Sequence, residues 1–67
     1  MLAQNIKKLR KKHKLSQEQL AQKAGITYST LIKIESGAND NPTIKTLIKI
    51  ADALDVSLDE LVERRYN

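Results

Sequence analysis

Sixty-seven residues with no cysteine and one histidine exclude two domains, a disulfide framework and a thiolate or imidazole metal cluster, since so short a chain buries only about 60% of the surface its unfolded form exposes. Nine leucines, seven isoleucines and two valines, without Phe or Trp and with two Gly and one Pro, suit one all-α domain over residues 1–67 rather than a sandwich. The net charge of +4 hides an asymmetry: residues 1–33 carry eight basic and one acidic side chain and residues 34–67 carry four and seven, a segregation that points to a polyanionic partner.

Apolar runs stop at three residues and the N-terminus lacks a signal-peptide core, so a soluble, cytoplasmic protein with no membrane contact is expected. Helical periodicity divides the chain into five segments. In the first, 2–13, Leu2, Ala3, Ile6, Leu9, Arg10 and His13 share one arc while Lys7, Lys8, Lys11, Lys12 and Lys14 lie outside it. The second opens at Ser16, which forms a capping box with Gln19, with Leu15 and Leu20 spaced as a hydrophobic staple. Gly25 ends it, because glycine takes the left-handed conformation at a helix C-terminus without steric cost.

Thr27 caps the third segment, 28–36, after a second staple from Ile26 to Leu31. Its arc turns Leu31 and Ile34 inward, sets Tyr28 and Ile32 near the edge, and leaves Ser29, Thr30, Lys33 and Ser36 outside. After Gly37, residues 38–42 form the one real loop. Thr43 caps the fourth segment, which runs to Leu54 with Ile44, Leu47, Ile48, Ala51 and Leu54 as its expected buried stripe. Ser57 and Glu60 mark a second capping box, and Val56 and Leu61 a third staple, opening a fifth segment, 58–64.

Two short helices joined at Gly25, the second with a small polar face beside a basic surface, are what laying a helix in the DNA major groove requires. At residues 5–62 the chain resembles the helix-turn-helix repressors of the lambda-repressor-like (Xre) family. The resemblance is carried by Ser16-Gln17-Glu18-Gln19-Leu20-Ala21, Gly25-Ile26, Ile34-Glu35-Ser36-Gly37, Asn41-Pro42-Thr43 and 47–54. It implies a compact five-helix fold and a transcriptional regulator that binds a palindromic operator in double-stranded DNA as a homodimer. The alternative is an antitoxin or other interaction module of the same fold, which binds a partner protein and DNA secondarily.

Family geometry together with exposure selects Thr27, Tyr28, Ser29, Thr30 and Lys33 as base-reading candidates, with Tyr28 alternatively a lid over the core. Family members often carry longer polar side chains where this chain has Tyr28 and Ser29. Gln17, Asn39, Asn41 and Thr43, at or before helix N-termini, are the phosphate candidates, although Thr43 also reads simply as a cap.

Arg10 and Glu35 are each the single charge in the apolar arc of their own segment. An isolated buried charge costs several kcal/mol, so the two are expected to pair as a structural clamp; the alternative sends Arg10 out to solvent and phosphate. Leu61, Val62 and Tyr66 exceed what so short a last helix needs for its own core and are assigned to a two-fold interface; alternatively Leu58 and Leu61 face inward and Tyr66 is a frayed terminus. Asp52, Asp55, Asp59, Glu60 and Glu63 sit where helix faces and N-termini explain them, so neither catalysis nor a cofactor or metal is expected.

Overall fold

In the computed structural model the described residues are 2–62, and they form five helices: α1 (Leu2–Lys12), α2 (Gln17–Ala24), α3 (Tyr28–Glu35), α4 (Ile44–Leu54) and α5 (Leu58–Val62). The expected extension of α5 to residue 64, and Tyr66, lie outside that range.

Three of the four connections use one device. At 14–16, 25–27 and 55–57 a residue in the left-handed conformation (Lys14, φ 59°; Gly25, φ 71°; Asp55, φ 57°) precedes an aliphatic residue and then a Ser or Thr. The amide of the aliphatic residue bonds back across the helix end, Leu15 to Arg10, Ile26 to Ala21 and Val56 to Ala51, at 3.0–3.1 Å. The hydroxyl then accepts from an amide of the next helix, Ser16 from Gln19, Thr27 from Thr30 and Ser57 from Glu60. Each joint thus closes one helix and opens the next within three residues while its aliphatic side chain packs on the core. Only at Ser16 does the Gln19 side chain also complete a reciprocal box. The fourth connection, 36–43, is longer; Gly37 turns it at φ 84° and Thr43 caps α4 through the Thr46 amide.

Ile6, Leu20, Ala21, Ala24, Leu31, Ile34, Ile50, Ala51, Ala53, Leu54 and Leu61 make the core. α2 packs on α3 and α4, while α1 bridges α3 and α5. Two sequence expectations fail here. On α4, Ile44 and Ile48 are 62% and 43% exposed, whereas Ile50 and Ala53 are buried beside Ala51 and Leu54. α4 is apolar around more than half its circumference, and its packing on both α2 and α5 draws the face centred between Ile50 and Leu54 inward.

The second failure is Leu61, assigned to a two-fold interface but fully buried in the chain's own core. Its backbone carbonyl, with that of Glu60, accepts from Asn5 Nδ2, a side chain that is itself buried. Asn5 carries no role in the sequence reading. It lies three residues after Leu2 and four before Leu9, at the edge of the apolar arc of α1, and its donor ties α1 to two carbonyls of α5.

Candidate nucleic-acid interface

The inner face of α3 fixes what its outer face can do. Glu35, 2% exposed, is gripped from two other elements. Arg10 Nε donates to Oε2 at 2.8 Å and Nη2 to Oε1 at 3.1 Å, while Arg10 Nη1 donates to the Leu15 carbonyl at 2.8 Å. Gln17 Nε2 adds a bond to Oε1 at 3.1 Å. The C-terminal end of α1, the first joint, the first residue of α2 and the last residue of α3 are thereby tied at one carboxylate. Fork geometry and saturated acceptors are what make a buried pair tolerable, and among the described residues no buried side-chain polar atom lacks a partner.

The same network gives Gln17 a task that sequence did not indicate. One N–H of its side-chain amide, proposed for a phosphate, is engaged by Glu35; its second N–H and the backbone amides of the first turn are what the start of α2 still offers an anion.

At the other end of α3, Thr27 Oγ1 accepts the Thr30 amide at 3.1 Å and lies 2.7 Å from the Thr30 hydroxyl. These two threonines therefore build the helix start. Tyr28 (47% exposed), Ser29 and Lys33 project into solvent without a side-chain bond to the described residues. Ser29 and Lys33 stand four residues apart on one face, so a short hydroxyl and a long ammonium are stacked on successive turns. Tyr28 is about half exposed and is not among the partly buried residues that pack against the core.

In the 36–43 loop, the Asn39 amide bonds to the Lys33 carbonyl at 2.9 Å, closing α3, and Asn39 Oδ1 accepts the Asn41 amide at 3.1 Å. That arrangement leaves Asn39 Nδ2 and the exposed Asn41 side chain as donors. Thr43 Oγ1 is committed to α4, bonding to both the amide and the hydroxyl of Thr46.

Lys7, Lys8, Lys11, Lys12 and Lys14 are all exposed, and α1 contains no acidic residue. Among the described residues no helix is long and apolar enough to cross a membrane.

Two short helices joined at a left-handed glycine, the second with a polar outer face and a locked inner face, define a helix-turn-helix domain. The chain belongs to the lambda-repressor-like (Xre) helix-turn-helix family, whose helix-turn-helix profile matches residues 6–61. It is 45% identical over its whole length to the HTH-type transcriptional regulator YqaE of Bacillus subtilis (strain 168), covering 57% of that protein, and 39% identical over 98% of its length to the transcriptional regulator SinR of the same organism, covering 60% of it. The chain thus spans somewhat over half the length of these relatives. The N-terminal DNA-binding domain of SinR superposes with a TM-score of 0.91 at 39% identity, covering the whole of this chain and 97% of that one. A crystal structure of SinR in complex with DNA superposes with a TM-score of 0.89 at 42% identity, covering 92% of this chain and 98% of that one.

Proposed function

We propose that residues 1–67 act as one DNA-binding domain of a cytoplasmic transcriptional regulator, which lays α3 in the major groove of a palindromic operator as a homodimer. The activity is binding, with no catalytic step and no cofactor. The observation that carries this reading is the pairing of two faces on α3: Ser29 and Lys33 project from the outside while Glu35 holds the inside to α1 and α2. A helix so anchored presents its side chains to base edges in fixed register, with Lys33 suited to guanine acceptors and Ser29 to donors or acceptors. The Asn39 and Asn41 side chains and the first-turn amides of α2 are the phosphate contacts that set that register. The similarity to SinR, whose structure with DNA is known, supports the same reading.

Selection of tight binders from random duplexes tests it, and a recovered palindrome is the expected result. On that site Lys33→Ala or Ser29→Ala should weaken binding by about 1–3 kcal/mol and relax the adjacent base preference, whereas Asn39→Ala should weaken all sequences alike. A Lys33 variant with an unchanged ratio of specific to non-specific affinity overturns the base-reading role.

The homodimer is proposed because one recognition helix reads too few base pairs for a specificity ratio of ~10³ or more. Val62 remains exposed for such an interface. Sedimentation on a two-half-site duplex should show two chains bound, with Val62→Asp reducing this to one; a wild type that binds singly refutes the dimer.

A further inference from the structure

We propose that the lysine face of α1 is a second phosphate-binding surface, which follows the DNA backbone outward from the half-site that α3 reads. The inference rests on the DNA-binding reading above and assigns a function to residues that the recognition helix and its loop do not use.

Lys7, Lys8, Lys11 and Lys12 occupy adjacent turns of α1 on the side away from Ile6 and the core, and all four are exposed. Side chains three and four residues apart on a helix are neighbours, so the set contains three close like-charge pairs: 7 with 11, 8 with 12 and 8 with 11. Among the described residues no carboxylate stands within ion-pair distance of any of them; the ion pair found there is Arg10 with Glu35. Such a face works against the helix that carries it. Lys11 and Lys12 gain from the C-terminal end of the helix dipole, but Lys7 and Lys8 do not, and the first turn has no acidic residue. Solubility alone calls for charges of mixed sign; a one-signed face is suited to a polyanion, which would relieve the repulsion when bound.

Position selects which polyanion. α1 ends where α2 begins: Lys14 stands two residues before the Ser16 cap, and Arg10 bonds both the Leu15 carbonyl and the carboxylate that holds Gln17. The C-terminal end of α1, which carries Lys11 and Lys12, therefore adjoins the N-terminal amides of α2, one of the points proposed above to hold the duplex backbone. From Lys7 to Lys12 the helix rises about 7.5 Å, the length of roughly two base pairs. A duplex that continues past the half-site runs alongside this face, and its phosphates meet ammonium groups on flexible stems, which bind as point charges without reading sequence.

The experiment compares the wild-type chain with a variant carrying Lys→Gln at positions 7, 8, 11 and 12 and with a Lys→Arg variant at the same positions. Mixed-sequence duplexes of about 12 and about 24 base pairs serve as probes, and log K is followed against log [KCl]. Each phosphate contact contributes about 0.9 to the slope. The wild-type slope should be steeper on the longer duplex. The Gln variant should lose about two contacts' worth of slope there and show equal slopes on both duplexes, and the Arg variant should match the wild type. The single Lys8→Gln variant, expected to lower the slope by about 0.9, gives the same test with a smaller perturbation. An unchanged slope in the Gln variant on the longer duplex overturns the inference while leaving the α3 reading intact. Equal losses in the Gln and Arg variants overturn it too, since charge would not be the requirement. A wild type that binds neither duplex overturns the DNA-binding reading itself.

Discussion

α3 and α4 are both amphipathic by sequence, yet the side that faces the core is legible in one and not in the other. In α3 the outward positions are Ser29 and Lys33, with Ser36 at the cap just beyond, and Leu31 and Ile34 have one arc available to them. In α4 seven of eleven positions are apolar, so two overlapping stripes, 44/47/48/51 and 47/50/51/54, satisfy helical periodicity equally well. The structure takes the second, leaving Ile44 and Ile48 in solvent. Periodicity identifies a face when polar residues bound it closely; where they do not, the neighbouring helices choose.

The sharpest way to break this contrast is at the clamp that holds the inner side of α3. Arg10→Ala or Glu35→Ala should destabilise the fold by about 3–5 kcal/mol in denaturant unfolding, because each leaves a buried charge unpaired. Replacing both with aliphatic residues of similar volume should recover much of the loss, and additive single effects would show that the two do not interact.

α4 offers the direct comparison of the two stripes. Ile50→Ala should cost about 2–5 kcal/mol, as for an aliphatic side chain emptied from a packed core, while Ile48→Ala should stay within about 0.5 kcal/mol. Equal costs would mean that α4 sits rotated from the orientation described. Asn5→Ala is expected to fall between them at about 1–3 kcal/mol, since its buried bonds to two α5 carbonyls are lost.

The smallest effects belong to the joints. Gly25→Ala places a side chain at φ 71° and should destabilise by about 1–2 kcal/mol, and since a Cβ there would meet no atom within 4 Å, that cost is conformational rather than steric. Lys14→Gly runs the other way and should stabilise by about 0.5–1 kcal/mol, because Lys14 already occupies the left-handed region at φ 59°. Thermal unfolding of the two variants side by side checks both signs.

Much of the candidate site was legible because it is built from local signals. Ser16, Gly25, Thr27 and Thr43 announce helix ends through side-chain chemistry within three or four residues, and Ser29 and Lys33 follow from the wheel of α3. Arg10 and Glu35 were legible as a pair because each is a solitary charge in an apolar arc. Gln17 was not: its amide meets Glu35 across eighteen positions of chain, and nothing near it in sequence distinguishes a bond to a buried carboxylate from a bond to a phosphate. Asn5 escaped for the same reason, with partners fifty-five and fifty-six residues away.

The sequence by itself determined the five helices, their caps, the short joints and the charge asymmetry, since each is decided by interactions spanning at most one helical turn or by composition. Tertiary structure alone decided which side of α4 is buried, that Leu61 seals the core instead of facing outward, and that Gln17 bonds to Glu35 and Asn5 to the α5 carbonyls. Those outcomes depend on which surfaces meet when the helices pack, and a buried donor takes whatever acceptor that meeting places within reach.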